Sequence, residues 1–205
     1  MGRRLFFPKG YVMTLKGKAK LLIIILLSSL ILFASFFAVS KGIMKIIYPQ
    51  KYTEYVEKYS TAYGIDKNLL YAVIKTESSF NPDAVSSADA VGLTQITPET
   101  FEWLKTKLGE EDENLTLSNP ETSVKYGAFF LGYLIDEFGN TDTAVAAYHA
   151  GRGRVNEWLK DENISPDGVT LSEIPIDETA HYVRKVNKAL NVYNNLYTSE
   201  KSTKH

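Results

Sequence analysis

An uninterrupted apolar stretch at residues 21–40 constrains this chain more than any other feature of its sequence. The stretch carries no charged residue and is rich in leucine, isoleucine and phenylalanine. As a helix, its twenty residues are about the length needed to cross the hydrocarbon core of a bilayer. The stretch therefore predicts a transmembrane helix over residues 21–40.

The residues that precede this helix predict its orientation. Six basic residues and no acidic residue lie within residues 1–40, all of them before residue 21. By the positive-inside rule, residues 1–20 form a cytoplasmic basic segment, residues 21–40 are a single-pass anchor in the cell membrane, and the rest of the chain is extracytoplasmic. The alternative is a cleavable signal peptide, because Ala38-Val39-Ser40 offers a small-x-small cleavage site. The domain is exported in both cases.

Composition excludes several classes of protein for the part after the anchor. That part retains 17 basic residues against 24 acidic ones, a formal charge of −7, which does not suit a nucleic-acid binder. The chain has no cysteine, and its three histidines do not have the spacing of a zinc motif. We therefore predict neither a metal site nor an organic cofactor. The histidines are His149, His181 and His205.

Helix-start and helix-stop signals recur after the anchor and predict an all-α domain. No segment shows convincing strand alternation, so we expect helices joined by short capped turns over residues 45–198, followed by a flexible tail at 199–205. The predicted N-caps are Asp66, Thr97, Asn119, Asp142 and Asp177. Asn81-Pro82 is predicted to stop the helix that Asp66 begins. Residues 110–113 are acidic and predict a solvated turn, and residues 161–176 predict a long loop.

Glu77 is the residue in this domain that most suggests chemistry. Leu70, Val73, Ile74 and Glu77 recur at helical spacing, which places a lone carboxyl on the core-directed face near the end of a helix. Desolvation and the negative end of the helix dipole both favour the protonated acid, as a general acid requires near neutral pH. A structural glutamate paired with a lysine or arginine is the alternative that the helix alone leaves open.

Four segments of the domain match a known family when they are taken together. ESSFNP at 77–82, GLTQITP at 92–98, AAYHAGRGRV at 146–155 and IPIDETAHYV at 174–183 resemble the lytic transglycosylases, the family that contains the soluble lytic transglycosylases. The resemblance covers roughly residues 50–195. It implies a lysozyme-like helical domain related to goose-type lysozyme. It also implies cleavage of the β-1,4 bond between N-acetylmuramic acid and N-acetylglucosamine in peptidoglycan.

The resemblance also implies roles for particular residues. Glu77 is then the single acid and base, and Ser86 contacts the substrate near its acetamido group. Gln95 contacts the substrate as well, and Tyr148 and Tyr182 are cleft tyrosines that position the acid or the sugar.

Three positions depart from the family pattern. Thr94 and Thr97 stand where methionines are common, so we expect them to make the subsite wall smaller and more polar. His149 replaces an asparagine and adds a titratable group to the set of predicted substrate-binding residues.

One carboxyl suffices for cleavage if the substrate supplies the nucleophile. The family forms a 1,6-anhydro end by attack of the muramic acid 6-hydroxyl, and we expect a monomer acting on glycan strands in this way. Two alternatives remain open. One is a muramidase that hydrolyses the same bond with Asp83 or Asp89 activating water. The other is a membrane-tethered peptidoglycan-binding module without turnover.

Overall fold

Helices account for most of the protein. A computed structural model describes residues 15–198, within which there are eight α-helices, a closing π-helical turn and no extended strand. The bounds of α1 to α8 are Leu15–Ile47, Thr53–Ala62, Lys67–Ser78, Pro98–Leu108, Pro120–Phe138, Thr141–Ala150, Arg152–Trp158 and Asp177–Tyr193, and the turn is Asn194–Thr198. The predicted all-α fold is confirmed. The predicted tail at 199–205 and residues 1–14 of the predicted cytoplasmic segment lie outside the described residues.

Helix α1 is apolar, and its residues 19–39 are all exposed. Among the described residues it is the one helix that is long and apolar enough to cross a membrane, over Ala19–Ile47. No residue in its most apolar window is buried. The chain divides between Ile46 and Ile47 into two compact units, of which the second contains the other helices. An N-terminal apolar helix ahead of a helical domain is the predicted order.

Helix α3 forms the centre of the second unit. Residues 69–74 of this helix are all buried, because apolar side chains there point to both sides of the helix. One side packs against α8, and the others pack against α2 and α5. Helix α5 in turn contacts α4 and α6, and α6 contacts α7 and α8. This packing brings the end of α3 close to residues that lie far away in the sequence.

Three of the predicted N-caps are confirmed by their hydrogen bonds. The Asp66 carboxylate accepts from the backbone N–H of Asn68 at 2.8 Å. Thr97 Oγ1 accepts from the N–H of Thr100 at 3.3 Å, and Asn119 Oδ1 accepts from the N–H of Thr122 at 3.1 Å. Each cap satisfies a backbone donor that the helix itself cannot satisfy.

The other two predicted caps are wrong. Helix α6 is capped by Asn140, whose Oδ1 accepts from the N–H of Thr143 at 3.0 Å. Asp142 lies inside the first turn of α6, where the helix dipole favours an acid. Asp177 is the first residue of α8, and the N-cap position before it makes no side-chain cap bond.

The stop of α3 and one residue of the acidic turn also differ from prediction, whereas residues 111–113 are exposed as predicted. Helix α3 ends at Ser78, before Asn81-Pro82, because Ser79 adopts the left-handed conformation with φ 50°. Glu110 is not simply solvated, since its carboxylate accepts hydrogen bonds from the Lys125 ammonium and the Tyr126 hydroxyl.

Four tyrosines hold the start of the domain against its end, and we call them the tyrosine clasp. The Tyr193 hydroxyl donates to the carbonyl of Pro49 at 3.0 Å, and the Tyr197 hydroxyl donates to the carbonyl of Tyr48 at 2.8 Å. The Tyr193 ring stacks on Tyr71 with centroids 5.4 Å apart and meets Tyr48 edge-on at 5.8 Å. Residues 48–49 are thereby fixed to the last residue of α8 and to the π-helical turn that follows it.

Candidate active site

A carboxyl and a phenol meet where α3 packs against α8. Glu77 lies in the last turn of α3, and Tyr182 lies in α8, 105 positions further along the chain. The Tyr182 hydroxyl donates to Oε1 of Glu77 at 2.6 Å. Among the described residues, no other group is hydrogen-bonded to this carboxyl, so Oε2 remains available to a ligand.

The environment of Glu77 favours its protonated form. Burial raises the pKa of Glu77 from 4.5 to about 7, while the hydrogen bond from Tyr182 acts in the opposite direction because it stabilises the carboxylate. Within residues 15–198 Glu77 makes no ion pair, so the structural alternative of a Glu77–Lys or Glu77–Arg pair is not observed. The carboxyl is therefore able to hold and release a proton near neutral pH.

The segment between α3 and α4 folds back on itself beside this carboxyl. Isolated antiparallel bridges join Val85 to Val91 and Val91 to Ile96. Ser86 Oγ accepts from the N–H groups of Ala88 and Ala90 at 3.2 and 3.1 Å. The sequence did not predict these bridges, because the segment is too short and too rich in small polar residues to show strand alternation.

Gln95 and Gly92 stabilise the same fold-back. Gln95 has φ 48°, and its side-chain amide nitrogen donates to the carbonyls of Ala84 and Gly92, both at 3.0 Å. Gly92 has φ 81°, and a Cβ on it would lie 2.0 Å from the carbonyl oxygen of Leu117. Gly92 is thus required by a tight turn and by packing within the protein. In the described part of the chain the Ser86 hydroxyl proton and Gln95 Oε1 have no protein partner, which leaves both for a ligand.

Thr94 does not line the subsite wall, contrary to the sequence-based expectation. Its side chain is fully buried, and its hydroxyl donates to the carbonyl of Ser123 on α5 at 2.9 Å. The carbonyl of Thr94 instead accepts the Tyr148 hydroxyl at 2.7 Å, which fixes that ring against the fold-back. Thr97 does reach the cleft, although it also caps α4.

His149 lies against the partner of the acid. Its ring stacks on Tyr182 with centroids 4.5 Å apart and an interplanar angle of 29°. Its Nδ1 is 3.1 Å from Oγ1 of Thr179. Partial desolvation lowers the pKa of His149, an effect that the nearby Glu178 opposes. His149 is therefore a neutral ring beside the cleft at pH 7.

These side chains border one cleft of about 300 Å³. Six of the seven predicted site residues line it, and the seventh, Tyr182, is bonded to Glu77. The six are Glu77, Ser86, Gln95, Thr97, Tyr148 and His149. Asp83 and Asp89, the two acids that the hydrolytic alternative invoked, are exposed and are not among its lining residues.

Seven lining residues were not among the predicted site residues, and two of these, Glu178 and Phe130, change the chemistry of the cleft. Glu178 adds a second carboxylate to the cleft, and Phe130 adds an aromatic wall that contacts Tyr148 with ring centroids 5.0 Å apart. Glu178 precedes Tyr182 by four positions in α8, so the two share a helix face. That spacing was the signal that could have identified Glu178.

The family follows from a comparison with known domains. Residues 54–168 match the family model described as the transglycosylase SLT domain. The chain belongs to this family. The predicted resemblance is thereby confirmed. The segments at 77–82, 92–98 and 146–155 lie within the matched residues, and the segment at 174–183 follows them.

Individual relatives of this SLT domain protein are longer than it is. It is 32% identical over 170 residues to membrane-bound lytic murein transglycosylase C of Glaesserella parasuis, covering 72% of this chain and 47% of the relative. It is 34% identical over 143 residues to the soluble lytic murein transglycosylase of Salmonella typhimurium, covering 68% of this chain and 22% of that relative. This chain thus spans less than half the length of each of these curated relatives.

The solved structures agree on the fold of the SLT domain. An inactive variant of the lytic transglycosylase Slt from Pseudomonas aeruginosa superposes with a TM-score of 0.64 at 29% identity, covering 74% of this chain and 25% of that one. The predicted lysozyme-like helical class is confirmed. The name of the first relative describes a membrane-bound protein, and α1 of this chain is long and apolar enough to cross a membrane.

Proposed function

We propose that this SLT domain protein is a lytic transglycosylase of peptidoglycan. It cleaves the β-1,4 bond between N-acetylmuramic acid and N-acetylglucosamine and leaves a 1,6-anhydromuramic acid end. The observation that carries the proposal is the carboxyl of Glu77, whose pKa is about 7 in a cleft bordered by hydroxyl and amide groups. The names of its relatives support the same substrate.

The reaction uses Glu77 twice. Protonated Glu77 donates its proton to the glycosidic oxygen, the bond from C1 of the muramic acid to that oxygen breaks, and N-acetylglucosamine leaves with a free 4-hydroxyl. The carbonyl oxygen of the N-acetyl group stabilises the cationic C1. Glu77, now a carboxylate, takes the proton of the 6-hydroxyl, and the oxygen of that hydroxyl attacks C1. No water is consumed, and Glu77 returns to its starting state.

The surrounding side chains orient the acid and the sugar. Tyr182 holds Oε1 of Glu77, which directs Oε2 to the substrate. The free hydroxyl proton of Ser86 suits the acetamido carbonyl, and Oε1 of Gln95 suits a sugar hydroxyl or amide N–H. Tyr148 and Phe130 form the apolar wall against which a sugar ring packs.

Hydrolysis of the same bond is the second candidate, and Glu178 is the observation that favours it. A carboxylate in the cleft is able to activate water in the manner of an inverting glycosidase. The masses of the products separate the two reactions, because hydrolysis adds one water and transglycosylation adds none.

The test is digestion of purified sacculi by the full-length protein in detergent, with mass spectrometry of the soluble products. We expect anhydro-muropeptides from the wild type and none from Glu77→Gln, while Glu110→Gln is the matched control and remains active. Products heavier by one water would establish hydrolysis. Binding to sacculi without release of fragments by the wild type would establish a non-catalytic binding module.

We also propose that the protein is a single-pass membrane protein whose domain is extracytoplasmic and works as a monomer. The basic residues before residue 21 and the location of peptidoglycan outside the membrane support this orientation. Protease added to spheroplasts is expected to digest the domain. Protection of the domain until the cells are lysed would contradict the orientation, and a dimer mass in detergent would contradict the monomer.

A further inference from the structure

We infer that a surface next to the cleft binds the part of the glycan strand that lies beyond the cleaved bond, through its sugar faces and its carboxylates. The surface consists of Trp103 and Lys107 on α4, Tyr133 on α5 and Arg152 on α7, and we call it the aromatic-basic patch. The inference rests on the proposed function for the nature of the polymer.

The aromatic-basic patch is continuous with the cleft. Phe130, which lines the cleft, contacts the ring of Trp103 with centroids 6.1 Å apart. Trp103 then contacts Tyr133 edge-on at 5.3 Å. Thr100, another lining residue, lies three positions before Trp103 on the same helix. A polymer that leaves the cleft along α4 therefore meets the patch next.

The two aromatic residues of the patch are only partly covered. Trp103 and Tyr133 pack against the core from its edge and keep part of their rings in solvent. Tryptophan and tyrosine combine a large apolar face with a polar group. Such side chains suit a surface that is exposed to water when free and covered when a ligand is bound. The C–H face of a pyranose ring is the complementary shape for such a ring.

Two cations border these rings. Lys107 Nζ lies 5.6 Å from the ring centroid of Trp103 and 5.9 Å from that of Tyr133, and Cζ of Arg152 lies 5.9 Å from that of Tyr133. Glu137 binds Nε of Arg152, at 2.8 Å to Oε1 and 2.5 Å to Oε2. The terminal nitrogens of the guanidinium have no hydrogen-bond partner within residues 15–198.

The ion pairing of Lys107 differs from that of several other lysines in the domain. In the described chain Lys107 makes no ion pair, whereas five other lysines of the domain are each paired with a glutamate. The five are Lys58, Lys67, Lys105, Lys125 and Lys160. An unpaired cation fixed beside aromatic rings in a domain of net negative charge is a place where an anion binds preferentially.

Peptidoglycan has the chemistry that this surface fits. Every second sugar carries a lactyl group that ends in a carboxyl or continues into a peptide stem with its own carboxylates. A strand therefore presents apolar sugar faces and negative charges at regular intervals, and chitin oligosaccharides present the faces alone. Arginine and lysine bind carboxylates well, and both cations are attracted to the faces of aromatic rings.

The test measures binding by calorimetry in the full-length Glu77→Gln background, so that no ligand is cleaved. The ligands are long uncrosslinked glycan strands with stems, a tetrasaccharide with stems, and a long chitin oligosaccharide. We expect Trp103→Ala and Lys107→Ala each to weaken binding of long strands about fivefold, the size of one lost exposed contact. Neither change should weaken binding of the tetrasaccharide. Only Trp103→Ala should weaken binding of the chitin oligosaccharide.

Matched controls separate this role from loss of folding. Lys105→Ala removes a neighbouring cation of α4 that is paired with Glu102, and Tyr63→Ala removes a half-buried ring packed against Phe129 of α5. Both are expected to bind long strands as the parent does. Trp103→Phe should retain most of the affinity, and thermal melting identifies any variant that is unfolded.

Several outcomes would overturn the inference. Equal losses for long and short ligands, or unchanged binding of long strands by a folded Trp103→Ala protein, would show that the patch is not a strand site. Failure of the proposed function is a separate result. It appears in the digestion of sacculi, where the wild-type protein would release no cleavage products, and it does not affect the binding measurements.

Discussion

Two glutamates of this domain each accept a hydrogen bond from a tyrosine, yet they have opposite acidities. Glu77 accepts the hydroxyl of Tyr182, and burial raises its pKa to about 7. Glu110 accepts the hydroxyl of Tyr126 and also the ammonium of Lys125. The bond from Lys125, followed by that from Tyr126, lowers the pKa of Glu110. Glu77 is buried and has no cation beside it, whereas Glu110 is less buried and is paired with Lys125, and these two differences separate a proton donor from a fixed carboxylate.

A third pair supports the same conclusion. Glu121 accepts from Lys58 at 2.7 Å and from the hydroxyl of Tyr59 at 2.9 Å, and these two bonds lower its pKa. A tyrosine partner thus occurs at all three glutamates, whereas a lysine partner is missing only at Glu77 among these three. Burial without a cation is what makes a general acid here.

Placing a cation beside Glu77 should convert it into a carboxylate like Glu110. Tyr182→Lys puts an ammonium where the phenol now donates, so the pKa of Glu77 falls and the acid is lost at pH 7. We expect release of soluble muropeptides from sacculi to fall on the order of 10³-fold. Tyr59→Lys, beside Glu121, is the control and should remain active. Full activity of a folded Tyr182→Lys protein would show that Glu77 is not the acid.

The two glutamates should also contribute to stability with opposite dependence on pH. The folded-state pKa of Glu77 lies above its ordinary value of 4.5, so the fold loses stability as pH rises through about 7. Glu77→Gln should therefore stabilise the protein by about 3 kcal/mol at pH 9 and by little at pH 4. Glu110→Gln should destabilise the fold at pH 7. A carboxyl whose pKa is lowered in the folded state stabilises the fold when the pH is above the ordinary pKa of glutamate. Denaturant unfolding at several pH values measures both, and a gain from Glu77→Gln that is equal at pH 4 and pH 9 would contradict this account.

Removing the hydroxyl that Glu77 accepts should shift the pH dependence of cleavage. The Tyr182 bond favours the carboxylate, so Tyr182→Phe raises the pKa of Glu77 and moves the alkaline limb of kcat/KM upward. Because the Glu77 carboxyl is then held less firmly, the rate of cleavage should also fall about tenfold. This is less than the loss expected when a general acid is removed altogether. Tyr126→Phe is the control with no expected change. An alkaline limb that moves downward would contradict the role of the bond.

The smallest effect is expected from removing Lys125, the cation that is paired with Glu110. Lys125→Met leaves Glu110 with Tyr126 alone, so the pKa of Glu110 should rise, which NMR titration of the carboxyl measures. The cost in stability should be at most about 1 kcal/mol, since the pair is partly exposed. Cleavage should not change. A pKa that stays low would mean that Tyr126, and not Lys125, sets it.

Local signals in the sequence predicted three of the five helix starts correctly. Asp66, Thr97 and Asn119 are the residues concerned, and their caps form as expected. Near Asp142 a second capping residue, Asn140, lies two positions earlier and takes the role. Sequence alone does not decide between two such neighbours, because the choice depends on how α6 packs.

Contacts between distant parts of the chain were accessible only through the family resemblance. The segments around Glu77 and Tyr182 named both partners of a bond that spans 105 positions, although nothing local to either indicates the other. The resemblance did not specify which side of the fold-back each residue faces. Thr94 therefore came to be expected in the cleft, and the Glu178 carboxylate was missed.

The tyrosine clasp gives α8 a mechanical role as well as a catalytic one. Residues 48–49 follow α1 directly and are held by Tyr193 and Tyr197. Tyr182 lies about 17 Å from Tyr193 along α8, at a rise of about 1.5 Å per residue. A tensile force that enters the domain at residues 48–49 is thus transmitted along α8 to the phenol that holds the acid. A pull on residues 48–49 and the positioning of the Glu77 carboxyl therefore both act through helix α8.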